Sequence, residues 1–218
     1  MGTIIAQKIV DQAETVLQDV TNVRWPAEEL LDWLNLGQVE IVRLAPDANA
    51  VTSEIKLDAG TKQMIPPNGI RFIGLIRNVP RVGHDQSSRA IREIDRGVLD
   101  ASRPNWHAEK PDPVVRHFMF DPRMPHIFYV YPPQPADGRY VEISYSATPV
   151  DVYANSPIAL DDVYAGALLD YLLYRAYSKD ADHAPNAQRM MAHYSAFMQA
   201  IAGKEQGDLA AEPGTTQL

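Results

Sequence analysis

VTSEIKLD, residues 51–58, changes the period of the chain. Val51, Ser53, Ile55 and Leu57 alternate with Thr52, Glu54, Lys56 and Asp58. Alternation at period two marks a strand with one buried face. Upstream of it the apolar spacing is helical, and after Pro149 it becomes helical again. These switches order the chain as helices, then strands, then helices.

Working upstream, residues 4–20 place Ile5, Ile9, Ala13, Val16 and Val20 at helical spacing, with Thr3 as the expected N-cap. Pro26 opens a second helix that should reach about Leu44. Glu28 and Glu29 sit in its first turn, where the positive helix end favours acids. Leu30, Leu34, Gln38 and Ile41 share one face, widened by Leu31 and Trp33, and Pro46 stops the helix.

Downstream, Ala59-Gly60 turns into a second short strand, TKQMIP (61–66), and PPNG (66–69) turns again. IRFIGLIRNV (70–79) reads as a third strand and PRVGHDQSSR (80–89) as an exposed loop. A short strand to Ile94 and a helical turn capped by Asp95 should follow. VVRHFMFD (114–121) and HIFYVYPP (126–133) read as a hairpin, with RYVEISYSATP (139–149) closing a meander. Asp161 is the expected cap of a helix over 162–178. A last helix starts near Pro185 and carries Met190, Tyr194, Phe197, Met198 and Ile201. GKEQGDLAAEPGTTQL (203–218) reads as a polar, mobile tail. The expected class is α+β: a helical bundle from both ends of the chain, with an inserted antiparallel β-rich region. The expected divisions are 1–50, 51–150, 151–202 and 203–218.

Composition narrows the functions. The chain has 218 residues, 45% apolar, enough to bury a core. It contains no cysteine, which excludes a disulfide scaffold, a thiol nucleophile and cysteine-ligated metal. Charges at Lys8, Asp11 and Glu14 interrupt the first helix, so no signal-peptide core is expected. No run approaches the roughly 20 apolar residues of a bilayer span. The net charge of −8 lacks the basic footprint of general DNA binding. One segment departs from that balance. Arg71, Arg77, Arg81, Arg89 and Arg92 are opposed there only by Asp85. Arg71 and Arg77 should share a strand face. The segment reads either as a solvated surface or as a basic patch for an acidic protein surface or for passing nucleic acid, with Phe72 its only aromatic residue.

The six histidines form no His-Glu-x-x-His run, and Asp180, Asp182 and His183 sit where a helix end is expected. There is no Gly-x-Ser-x-Gly elbow and no phosphate-binding glycine loop. His107-Ala-Glu109 lacks the later cysteines of a zinc deaminase. A small hydrolase or binding site could be assembled from distant residues, for instance His117, His126 and Asp121 on the 114–130 hairpin. No enzyme, cofactor or metal is expected.

The helix over 162–178 raises a different question. Leu168, Leu169, Leu172, Leu173, Ala165 and Ala176 fill one arc, while Tyr164, Tyr171, Tyr174 and Tyr177 fill most of the rest. A helix apolar nearly all round is buried on all sides. The second stripe needs either another part of this chain or another subunit, and tyrosine suits interface cores.

WLNLGQVEIVRLAPDA (33–48), FYVYPP (128–133), VEISYSATP (141–149) and LDDVYAGALLDYLLYRAYSKDAD (160–182) together carry a resemblance. The chain resembles, over roughly residues 3–202, the head-to-tail adaptor (connector) proteins of tailed bacteriophages. It looks like those of short-tailed phages, similar in plan to tail tubular protein A. The resemblance implies a structural virion protein at the head–tail junction, made in the host cytoplasm. Its ring, commonly of twelve subunits, would sit under the portal protein, extend the DNA channel and present a platform to the next tail or nozzle protein. Double-stranded DNA would pass without specific binding, and no membrane is involved. On that reading Trp33, Tyr164, Tyr171, Tyr174 and Tyr177 lie at the subunit wall. The C-terminal stretch with Gly203, Lys204, Leu209 and Leu218 docks on the portal. A different neck or tail completion protein is the alternative.

Overall fold

The computed structural model describes residues 2–80, 88–179 and 184–211. Helices α1 (Ala6–Leu17) and α2 (Ala27–Leu44) lead into strands β1 (Ala50–Lys56), β2 (Gly60–Met64), β3 (Gly69–Val79) and β4 (Arg92–Glu93). A short helix α3 (Arg96–Ser102) precedes β5 (His117–Phe120), β6 (Ile127–Gln134) and β7 (Tyr140–Ala147). Helices α4 (Ala165–Ser178) and α5 (Ala184–Ala211) follow. The expected α+β plan is the observed one. The chain forms two compact units: a helical one from residues 1–48 and 149–218, and a β-rich one from 49–148.

In the helical unit, α4 is the element the others cover. Leu168, Leu172 and Ala176 are fully buried, as are Leu30, Leu34 and Ile41 of α2. The backbones of α2 and α4 approach closely at Gly37. A Cβ there would lie 2.9 Å from Tyr171 Cδ1 and 3.2 Å from Leu168 Cδ2. Two amides of α2 tie down the segment leading into α4. Asn35 brackets Val152, donating to its carbonyl at 3.1 Å and accepting from its N–H at 2.9 Å. Gln38, fully buried, accepts from the Ala159 N–H at 2.7 Å and donates to Asn35 at 3.2 Å. Both polar atoms of the buried Gln38 amide are thereby paired, as burial demands.

Thr3 is not the cap of α1. The N-cap is Ile5, and the first helical N–H groups donate to the Ser156 and Ala154 carbonyls at 2.9 and 3.0 Å. The Thr3 side chain and the N–H groups of Thr3 and Ile4 turn instead to the Asp162 carboxylate. That hydroxyl, with the two N–H groups, holds the Asp162 carboxyl below its ordinary value. Long-range partners therefore replace the local cap. Asp161 caps as expected, accepting from the Val163 N–H at 3.1 Å, although a 3-10 turn precedes α4.

Helix α5 runs past Ile201 to Ala211, so the stretch from 203 does not begin as a tail. Alanine, lysine, glutamate and glutamine favour the helix there. Gly203 and Gly207 cost about 1 kcal/mol each relative to alanine without breaking it.

The β-rich unit has two sheets, ordered β1-β7-β3 and β2-β6-β5-β4. The β5–β6 hairpin is antiparallel as expected, and Asp95 caps α3 through the Val98 N–H. The meander does not close, because β2 and β5 already occupy both edges of β6. Strand β7 crosses into the other sheet and pairs antiparallel with β1 and β3. One pairing departs from the antiparallel expectation: β4 runs parallel to β5. Phe72 of β3 joins the two sheets, stacking on Phe128 of β6 at 4.6 Å and meeting Phe118 of β5 edge-on at 5.6 Å. Leu75, Val130, Val141 and Ile143 complete the surrounding core. On the other face of β5, Met119 packs with Leu99, Trp106 and Tyr131 in a smaller cluster.

Enlarging Gly37 tests the α2–α4 approach. Gly37→Leu should cost about 1–3 kcal/mol, as overpacking of a closed core does. The readout is a lower urea midpoint of the helical signal; an unchanged midpoint would show that α2 stands away from Tyr171.

Candidate functional site

The tyrosine stripe of α4 has a cover within the chain. Tyr164, Tyr171 and Tyr177 are buried, and so is Trp33. Tyr171 packs on Phe197 of α5 at 5.2 Å, and Tyr174 on Tyr194 at 5.0 Å. Tyr177 stacks on His193 at 5.8 Å with the rings 10° apart. The His193 Nδ1 is held 2.8 Å from Asp170. Lys204 places its ammonium 5.6 Å from the Tyr164 ring, and Arg175 its guanidinium 5.7 Å from Trp33. Helix α5 is thus the second partner of α4. The aromatic row reaches solvent at half-buried Tyr174 and at Tyr194, 39% exposed.

Of the residues expected at the C-terminal docking stretch, Gly203 and Lys204 lie on α5. Leu209 belongs to the same helix, and Leu218 lies outside the described residues.

The arginines of the β-rich unit separate into two places. Three register shifts along β3 give it a buried period of three, at Phe72, Leu75 and Asn78, opposite Tyr145, Ile143 and Val141 of β7. Two of those bulges fall between Arg71 and Arg77, so the pair still shares a face, opposite Ser146 and Glu142. Arg71 is at the far end of β3 from the others. Arg77 bridges to Ala90 and pairs with Glu142 at 2.5 Å. Arg89 and Arg92 follow on the returning chain. Arg81 lies outside the described residues.

A buried amide holds this turn together. Asn78 is fully buried, and its Nδ2 donates to the carbonyls of Arg89 and Val115, both at 2.9 Å. Its Oδ1 accepts from the Val115 N–H at 2.9 Å, and its own N–H donates to the Arg89 carbonyl. The parallel β4–β5 pairing then sets Arg92 opposite His117. Three cations, Arg89, Arg92 and Arg116, converge on that imidazole. Burial chiefly, and then these three charges, push His117 below its ordinary value, while a hydrogen bond to the Arg92 backbone works the other way. Its Nδ1 is buried without a hydrogen-bond partner. Glu142 engages Arg77 and Asp112 engages Arg116, which leaves Arg89 and Arg92 as the exposed unpaired cations of the cluster among the described residues.

Sequence reading missed Arg116, Asn78 and the place of His117. Asparagine near the end of an otherwise apolar strand was the available signal. Arg116 belongs to the cluster only through the β4–β5 pairing, which no local pattern announces.

The hairpin set offers no catalytic geometry. Arg123 holds both Asp121 oxygens, at 3.1 and 3.0 Å, and keeps that carboxyl below its ordinary range. His117 belongs to the arginine cluster, and His126 is exposed. No group of three or more histidine or carboxylate side chains among the described residues could hold a metal.

A family model described as "SU10 adaptor protein" matches residues 5–217. No curated protein matches the chain.

Two measurements test the geometry. Asn78→Ala strands the Val115 N–H and carbonyl, while the Arg89 carbonyl keeps the backbone N–H of residue 78, so it should cost at least about 2 kcal/mol in a urea titration of the β-rich signal; no loss would deny the staple. The unfolded imidazole takes its proton near pH 6.5, above the folded His117 value. Stability from neutral His117 is therefore full above that pH and lost as pH falls through the lowered folded value. The His117 ring resonances should titrate below the free-imidazole midpoint; a midpoint at or above it would contradict the convergence of cations.

Proposed function

We propose a ring-forming connector, on the premise that the chain belongs to the SU10 adaptor protein family and is a phage head-to-tail adaptor. The match over residues 5–217 carries the reading, because it takes in both units. The family implies a structural virion protein, not an enzyme, that meets the portal on one side and the tail on the other. The finer account is ours. Copies of the chain, twelve in the expected ring, assemble beneath the portal and extend the DNA channel. The β-rich unit presents the platform for the next tail or nozzle protein. Net charge supports the conduit: at −8 the chain repels the duplex overall, and each phosphate contact avoided keeps DNA sliding.

The helical unit supplies the ring wall. The tyrosine row enters it through Tyr174, where the aromatic surface is half open. Trp33, Tyr164, Tyr171 and Tyr177 stand behind and fix the helix that presents it. Portal docking falls to the C-terminal stretch from Gly203 and Lys204 through Leu209 to Leu218.

Mixing the purified protein with the portal ring of the same phage, followed by negative-stain imaging, tests the reading. A collar on one face of the portal is expected, and bare portals across salt and concentration would overturn it. Two substitutions separate wall from core. Tyr171→Ser empties a buried site and should lower stability by about 3 kcal/mol, in the range of large-to-small core changes. Tyr174→Ser should leave the fold intact by circular dichroism and reduce collar formation. Normal collars with Tyr174→Ser would remove that tyrosine from the wall.

A further inference from the structure

The two units carry opposite charge. Residues 1–48 and 149–218 hold 17 Asp and Glu against 7 Lys and Arg, net −10. Residues 49–148 hold 13 Lys and Arg against 11 Asp and Glu, net +2. Such segregation is not needed for folding, since net charge acts on association rather than on the fold.

Each unit also concentrates its sign on a built surface. In the β-rich unit, Arg89 and Arg92 are exposed beside Arg116 and are held in place by Asn78 and the β4–β5 pairing. In the helical unit, a groove of about 340 Å3 is lined by Asp32, Asn35, Leu36, Val39 and Asp151. Asp32 and Asp151 are exposed, and Leu36 is 49% exposed. The segment beside the groove is clamped through Val152 by Asn35, yet it leaves Val150 and Tyr153 74% and 80% exposed. Leu36, Val150 and Tyr153 thus leave apolar side chains exposed beside two acids, a composition suited to an interface.

We propose that the Arg89–Arg92 corner of one copy docks on the Asp32–Asp151 groove of a second copy of this chain. A second copy supplies what both surfaces lack, in equal number. Duplex DNA would answer only the arginines, and a basic partner only the groove. The contact joins two different patches, so it is heterologous and propagates from copy to copy, closing into a ring where the rotation permits. Complementary charge fixes which face meets which and speeds encounter, while Leu36 and Tyr153 provide the apolar area. The proposal rests on the ring reading above and names the surfaces that build it.

The absence of cysteine makes the test clean. Single-cysteine chains Arg92→Cys and Asp151→Cys are mixed in equal amounts with the portal ring and treated with a short bis-maleimide. A cross-linked dimer is expected from the mixture and not from either chain alone. Adding Arg89→Glu to the first chain should abolish the product; adding Asp32→Lys to the second should then restore it. Collars on the portal without a mixture-specific dimer would overturn the docking and leave the connector reading standing. A mixture-specific dimer on bare portals would do the reverse. Bare portals with no dimer would sink both.

Discussion

Burial of both the leucine and the tyrosine stripes of α4 is the constraint from which the helical unit follows. Its leucines need α2, and its tyrosines need α5. Gly37 permits the first approach and the Phe197–Tyr194 pair fills the second. The segment leading into α4 is then placed by hydrogen bonds as well as by the burial of Val152, Ile158 and Leu160. Asn35 and Gln38 fix the entry segment, and Asp162 ties it to the start of the chain. Both ends of the sequence are thus needed before this unit has a core, although a hundred residues separate its two halves.

The β-rich unit solves a related problem differently. Strand β5 is buried on both faces, by Phe72 on one side and by Trp106 and Leu99 on the other. Three bulges let β3 present Phe72, Leu75 and Asn78 inward at every third residue. The last of these is polar, and its amide is fully used in stapling the arginine turn. A buried, satisfied amide specifies a geometry that an apolar residue would leave loose. The stiff basic corner is therefore a consequence of how the core ends.

Much of this was legible in residue order. The period changes near 51 and 149 located the β-rich region, and Asp95 and Asp161 announced their helices. What stayed hidden depended on distant partners. Thr3 looked like a cap because its competitors, Asp162 and the 154–156 carbonyls, lie about 150 residues away in the chain. The meander looked closed because adjacency in sequence is the ordinary rule for neighbouring strands. The tyrosine stripe was read as needing a partner, but period alone could not say that α5 would provide one. Arg77, Arg89 and Arg92 were visible as a basic run; the convergence of Arg89 and Arg92 with Arg116 on His117 required the parallel pairing with β5.

The adaptor family implies binding to the portal and to the tail. In the proposed ring, an acidic helical unit and a basic-cornered β-rich unit would also join copy to copy. The most direct test is position in the particle. A gold-labelled tag joined to residue 2, carried by infectious virions, should appear in electron micrographs as a ring of label at the head–tail junction. Label spread over the capsid shell or gathered at the tail tip would contradict the account.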